Sequence, residues 1–427
     1  MNRFTQIAKI GGGILLNRQS FYRAAEICNQ TKVDVVVVSA VNGITKLLEK
    51  AAVAAKEKRQ KRFEDFFKIL EIHNSIYSDK QTIKMHEELY KDLLEISKSK
   101  NLTKKELAKI KSFGEQFSAY AFSKISGFIL LKPQEIQIGA KGDYLEAKID
   151  GKNFNFELFK DGQFVVPGYY GIDGEEIKLF GRSGSDYTAA FLAKMLDPST
   201  LCFFKEVDGY MTANPKIVPN AKLRQYISYQ EVKLLGNSGS EIIHPGVAEI
   251  LENSSVVCYI KNFYKPDVEG TAILTQKPQN ENGFSISYKE VSLISIEDVS
   301  MAQAPNYAAH VFSILGKNDI SIEIIGTAQT VLSFTVAKEN GTRAKRLLLE
   351  AGYSEILLNQ DVGLVTIVTD LYNYPILLKK VFEKMFEKNY NFYLISQGVQ
   401  SPALSVVVDS SSALNIVNDL HQKLLEN

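Results

Sequence analysis

Histidine, cysteine and tryptophan are scarce or missing in this 427-residue chain, which has five His, three Cys and no Trp. The cysteines, Cys28, Cys202 and Cys258, are scattered. They form no disulfide or zinc spacing and suit a reducing compartment. With few histidines and no HExxH or CxxC pattern, neither a histidine-based hydrolase nor a zinc enzyme is expected. No metal site of the chain's own is expected, and any metal would be magnesium carried by a nucleotide. Charge of one sign is also lacking, since 50 Lys+Arg stand against 49 Asp+Glu. Without a basic excess, neither nucleic acid nor an anionic membrane is an expected partner. There is no secretory signal and no apolar run long enough to span a bilayer. The expectation is a soluble, cytoplasmic protein of two or three domains.

What is present begins as strand, glycine turn, helix: Phe4 to Ile10, Gly11-Gly12-Gly13, then a helix through Phe21 to Cys28. The run Val33 to Ala40 is apolar and β-branched, the pattern of a strand buried on both faces of a parallel sheet. Such a βαβ start predicts a layered α/β domain. From Thr45 to about Gly127 the pattern is helical, broken by polar residues near Lys98 to Thr103. Phe66, Phe67, Leu70 and Ile72 follow helical spacing there and read as core. Short strands return between Ile136 and Phe180, and this first domain is expected to span 1–251.

The most informative stretch is GRSGSDYTAA, Gly181 to Ala190, which runs into an apolar helix. Backbone N–H groups freed by glycine at a helix N-terminus make an anion site. Arg182 adds a forked guanidinium suited to a carboxylate or phosphate, and Asp186 adds a carboxylate in the same turn. The plainer reading is a capping turn with Ser185 or Asp186 as the N-cap.

After a bridging segment, 252–288, the rest of the chain is repetitive. Val291 to Ile296 is echoed by Val362 to Ile367. An amphipathic helix follows each time (Ala308 to Leu315; Leu377 to Phe386), then two strands (Ile320 to Ile325 and Leu332 to Val336; Tyr390 to Ile395 and Leu404 to Val408). Two β-α-β-β units at a spacing of roughly seventy residues signal a duplicated module. The region is read as 289–427, with cores at 289–345 and 360–427.

The stretch Gly181 to Ala190 closely resembles the GRGGSDYTA signature of the aspartokinases, within the amino-acid-kinase fold, and the duplicated modules resemble their paired ACT domains. KIGGG, Lys9 to Gly13, is similar to the family's KFGGTS. SAVNGIT, Ser39 to Thr45, matches the segment after the second strand, GEQFSA, Gly114 to Ala119, the GE-x-x-S helix start, and VVPGYYG, Val165 to Gly171, the strand before the signature.

The resemblance implies a three-layer amino-acid-kinase α/β domain followed by two ferredoxin-like ACT domains. It also implies phosphoryl transfer from ATP, with Mg2+, to the side-chain carboxylate of L-aspartate. Lys9 and Asp186 would be catalytic. Thr45, Glu115, Arg182 and Ser185 would hold the substrate, with Glu115 on its ammonium and Arg182 on its carboxylate. Gly11, Gly12, Gly13, Ser39, Lys205, Glu206, Tyr210, Lys216 and Glu241 would face the nucleotide. An amino-acid effector, lysine or threonine, would meet Met301, Ser321, Ile322, Glu323 and Thr327, and a homodimer would form through the ACT domains. Each residue has a plainer reading: Lys9 as a solvated strand end, Glu115 as a first-turn residue favoured by the helix dipole, Thr45 as an N-cap.

Departures from the family cluster on the nucleotide. Gly13-Ile14 stands where the family has Thr-Ser. KEVDGYMTANPK, Lys205 to Lys216, replaces TDVDG-x-Y-x-x-DPR, and Glu241 stands in place of a phosphate-contacting lysine. A unit charge at 4 Å and an effective dielectric of 20 is worth roughly 4 kcal/mol, so that reversal weakens ATP binding unless Lys205 or Lys216 compensates. The expectation is a monofunctional aspartokinase opening lysine, threonine and methionine synthesis. The alternative is a diverged, weakly active or inactive amino-acid-binding regulator on the same scaffold.

Overall fold

A computed structural model describes residues 4–57, 61–99, 101–238, 242–278, 283–398 and 401–426. Contacts divide the chain into two units, Met1–Gly209 with Ile242–Gln276, and Tyr210–Glu241 with Lys277–Asn427. Residues 210–241 thus group with the C-terminal part of the chain.

The first unit is built on a largely parallel sheet in the order Thr271–Leu274, Val257–Asn262, Thr200–Lys205, Gln6–Ile10, Val35–Val38, Phe164–Pro167, Ile129–Leu130. Only Thr271–Leu274 in this series runs antiparallel to its neighbour. Alternation along the strands divides their side chains between two helical layers. Ala8, Ile10, Val36, Val38, Cys202 and Phe204 join a core with the helices Arg18–Gln30, Ile44–Lys56, Lys61–Ile76, Lys80–Lys98 and Lys104–Ser126. Lys9 therefore points to the opposite face, where the helix Gly184–Leu196 packs. The helical stretch breaks at 99–103, where Thr103 and Glu106 form a capping box. Phe66 is buried but Phe67 is 61 % exposed, correcting its reading as core. Adjacent residues sit about 100° apart on a helix, and one apolar face cannot hold both. A four-stranded sheet (Lys148–Asp150, Gly139–Lys141, Tyr170–Asp173, Glu176–Leu179) completes this unit.

The second unit carries the two repeats in one six-stranded antiparallel sheet, and they interlock. Its middle strands, Ser285–Glu297 and Ile356–Val368, are each 13 residues long and pair with each other. Ile294 and Ile296 share a core with Ile356, beneath the helices Tyr307–Gly316 and Gly341–Glu350. Phe284 and Ile286 instead share a core with Val365 and Ile367, beneath Tyr374–Glu387 and Ser410–Leu425. Each module thus borrows half a strand from the sequence ahead of the other's core. The changeover falls at a register shift between Val291 and Leu293. There the Ser292 hydroxyl donates to the Lys338 carbonyl at 3.0 Å, anchoring the bulged residue.

Candidate active site

The site of the first unit lies at the C-terminal ends of its parallel strands, where the sheet hands over to turns. Lys9, next to last in its strand, is buried, and its Nζ stands 2.6 Å from Asp186 Oδ1. Lys205, last in the neighbouring strand, places Nζ 2.9 Å from Asp186 Oδ2. Register explains the convergence: Lys9 pairs with Phe203, so Lys205 two residues on faces the same side of the sheet. One buried carboxylate is bracketed by two ammonium groups. Burial would raise the Asp186 pKa, but Lys9 and then Lys205 outweigh it and hold the carboxyl below its ordinary value. Burial also lowers Lys9 to about 8, against the opposing pull of Asp186. Lys9 is thus no solvated strand end.

The glycine turn next to Lys9 is tight for steric reasons. A Cβ on Gly12 would lie 2.7 Å from the Ala40 carbonyl oxygen, and one on Gly13 would collide with the Glu206 carboxylate. A Cβ on Gly114 would stand 2.7 Å from that of Ala40, so the helix carrying Glu115 closes directly onto the 40–44 turn. Glu115 is buried in mid-helix, not in a first turn. Its Oε1 accepts the Ala40 N–H at 3.2 Å, while Oε2 is buried without a hydrogen-bond partner. Burial raises its pKa to about 8.

Gly12, Gly13, Ser39, Thr45, Glu115, Arg182 and Ser185 line one cavity of about 590 Å³. Two helix N-termini open onto it, and both are capped without a side-chain hydrogen bond. Gly43 precedes Ile44–Lys56, and Ser183, with φ 57°, precedes Gly184–Leu196. By contrast, Arg18–Gln30 is closed by a capping box from Asn17. A helix N-terminus on a cavity wall with no side-chain cap attracts an anion. The plainer readings are thereby corrected: the N-caps are Gly43 and Ser183, not Thr45, Ser185 or Asp186, which all lie inside their helices.

The cavity also takes in Lys111, Glu146 and Tyr169, which the sequence reading passed over. Lys111 was findable, because it sits one turn before Glu115 on the same helix face. Tyr169 has φ 77° and its N–H donates to Thr188 Oγ1 at 3.2 Å, bracing the signature helix. Tyr210 and Lys216 fall in the other unit, and Glu241 lies outside the described residues. Among the effector candidates, Met301 and Ile322 pack against the first module's core. Glu323 pairs with Lys289 at 3.0 Å, while Ser321 and Thr327 are exposed.

A glycine turn over a buried lysine, two helix N-termini without side-chain caps and an aspartate held between cations make an α/β site suited to a phosphate-bearing ligand. The chain belongs to the amino acid kinase family, whose model matches residues 5–262, and an ACT domain model matches 294–351. It is similar to aspartokinase 2, chloroplastic, of Arabidopsis thaliana, with 26% identity covering 99% of this chain and 84% of that protein. It is also 26% identical to the bifunctional aspartokinase/homoserine dehydrogenase of Haemophilus influenzae, covering 99% of this chain and 57% of that one. Among solved structures, E. coli aspartokinase III in complex with lysine and aspartate superposes with a TM-score of 0.82 at 22% identity, covering 99% of this chain and 100% of that one. The likeness confirms the fold expected from the sequence, a kinase α/β domain followed by ACT modules.

Proposed function

We propose that this protein is an aspartokinase, transferring the γ-phosphoryl group of ATP to the side-chain carboxylate of L-aspartate to give 4-phospho-L-aspartate and ADP. The observation that carries the reading is the pairing of Glu115 and Arg182 in one cavity, a carboxylate for an ammonium and a guanidinium for a carboxylate. An amino acid bound between them would have its side chain directed to the glycine turn.

The attacking carboxylate is already ionised at neutral pH, so no general base is required. A side-chain oxygen forms the new bond to the γ-phosphorus as the bond to the β,γ-bridging oxygen breaks and ADP leaves. Catalysis is then positioning and charge neutralisation. Lys9 and the turn amides face the charge that builds on the transferring group, and Asp186 holds Lys9 in place. Among the described residues, no group of three or more His, Cys, Asp or Glu side chains could hold a metal ion. A magnesium ion would arrive with the nucleotide, with exposed Glu206 as the carboxylate that could face it, and when bound would neutralise phosphate charge.

The remaining assignments follow from the same reading. Ser39, Thr45 and Ser185 would serve the cavity. The ACT modules would bind an effector amino acid, lysine or threonine, and form a homodimer. The catalytic domain would span 1–251 and the regulatory region 289–427. The enzyme would open lysine, threonine and methionine synthesis in the cytoplasm. Among the described residues no helix is long and apolar enough to cross a membrane.

The test is substrate selectivity. R182A should raise the KM for L-aspartate by roughly 10- to 100-fold, the worth of a charged hydrogen bond, and leave the KM for ATP near wild type. Unchanged aspartate kinetics would remove Arg182, and with it this reading of the cavity.

A further inference from the structure

The family resemblance implies only that Lys205 faces the nucleotide; in the structure its ammonium group sits on Asp186. Three observations converge. First, Lys205 ends a strand whose neighbour carries Lys9, and both ammonium groups sit on the two oxygens of Asp186, at 2.9 and 2.6 Å. Second, two ammonium groups share the Asp186 carboxylate and Lys205 repels Lys9, with Glu115 the further acid acting on Lys9. Third, the Lys205 side chain keeps 20% of its surface exposed, against 7% for Lys9, so Lys205 has the open approach. The next residue, Glu206, stands against Gly13, which puts the strand end beside the glycine turn.

A lysine serving only to neutralise Asp186 would be redundant, since Lys9 already does so from within the core. A second ammonium group beside a glycine turn and a helix start with no side-chain cap at Ser183 is instead a place for a polyanion.

We infer that Lys205 is a second catalytic cation, which binds the terminal phosphoryl oxygens of the nucleotide opposite Lys9, with Asp186 holding the two ammonium groups apart as a clamp. This rests on the phosphoryl-transfer reading of the site but not on which amino acid is phosphorylated. Lys205 would supply its positive charge from the strand end. In the transfer step it makes and breaks no covalent bond; it neutralises the oxygens of the phosphoryl group and of the departing diphosphate.

The experiment is calorimetric titration of the full-length protein with Mg-ADP and, separately, inorganic tripolyphosphate, for wild type, K205M and K205R. K205M should weaken both ligands by roughly 10- to 100-fold, as loss of a charge-assisted contact does, while K205R stays close to wild type. In steady state K205M should raise the KM for ATP and lower kcat with the KM for L-aspartate unchanged, a split that a general loosening of Asp186 would not produce. Wild-type affinity for both phosphates in K205M overturns the inference, and so does an equal loss of nucleotide and aspartate binding. If K205M does not fold, acylation footprinting of the wild type decides. Lys205 should be protected by Mg-ADP and not by L-aspartate, and equal labelling with and without Mg-ADP overturns the inference. Tight phosphate binding that needs Lys205, with no phosphorylation of aspartate, would retain the clamp and discard the aspartokinase reading.

Discussion

Glu115 gives one carboxylate oxygen to the Ala40 amide at 3.2 Å and keeps the other buried without a hydrogen-bond partner. An acid arranged this way is half satisfied and open to a cationic ligand. The empty oxygen is costly in a dry wall, and burial accordingly moves its pKa to about 8.

The pH dependence of substrate binding follows. An ammonium group needs the ionised acid, so below pH 8 binding must also remove a proton. The KM for L-aspartate should fall as pH rises from 6 towards 8, by up to about tenfold per unit. E115Q should raise that KM and flatten its pH dependence. The same shift bears on stability. A folded pKa above the unfolded 4.5 means stability is lost as pH rises from about 4.5 to 8, so E115Q should melt higher than wild type at pH 8. A steep pH profile retained in E115Q would assign it to another group.

Lys9 sets the opposite limb. Burial holds its pKa near 8, so above that pH the free enzyme loses the charge that meets the nucleotide. The kcat/KM for ATP should therefore decline above pH 8. K9A should lower kcat by about 100-fold or more, the scale of removing a preorganised electrostatic contact. K9R, which stays charged, should move the alkaline limb upward. A K9R profile identical to wild type would place that limb elsewhere.

Much of this site was legible in the sequence because its parts are local. The glycine turn after Ile10, the GE pair at 114–115 and the Arg182–Asp186 turn each carry their meaning within a few residues. What was not legible is long-range. Lys205 and Asp186 lie 19 residues apart and meet because parallel register puts Lys205 on the face of Lys9. The shared strands of the second unit escaped for a similar reason. Ser285–Glu297 and Ile356–Val368 alternate as any strand would, and nothing local says that each serves two cores. The N-cap at Ser183 was missed because its left-handed backbone, φ 57°, is set by tertiary packing and not by residue type.

A buried histidine pair predicts acid sensitivity. His73 Nδ1 lies 3.1 Å from His86 Nε2, and the His73 ring stacks on Phe117 at 3.7 Å. Burial first, and the neighbouring His86 second, push the His73 pKa well below 6.5. The folded state therefore refuses a proton that the unfolded chain accepts. Stability from this site is full above pH 6.5 and is lost as pH falls below it, by up to about 1.4 kcal/mol per unit. Tm should drop between pH 7 and pH 5, and less so in H73L. An equal drop in both proteins would move the acid sensitivity elsewhere.

The central claim is tested most directly by incubating the purified protein with Mg-ATP and L-aspartate in the presence of hydroxylamine, measuring ADP and hydroxamate together. The account predicts aspartate-dependent ADP release matched by aspartyl hydroxamate, with neither product from succinate at the same concentration. Aspartate binding without ADP release or hydroxamate would contradict it and leave an amino-acid-binding protein on a kinase scaffold.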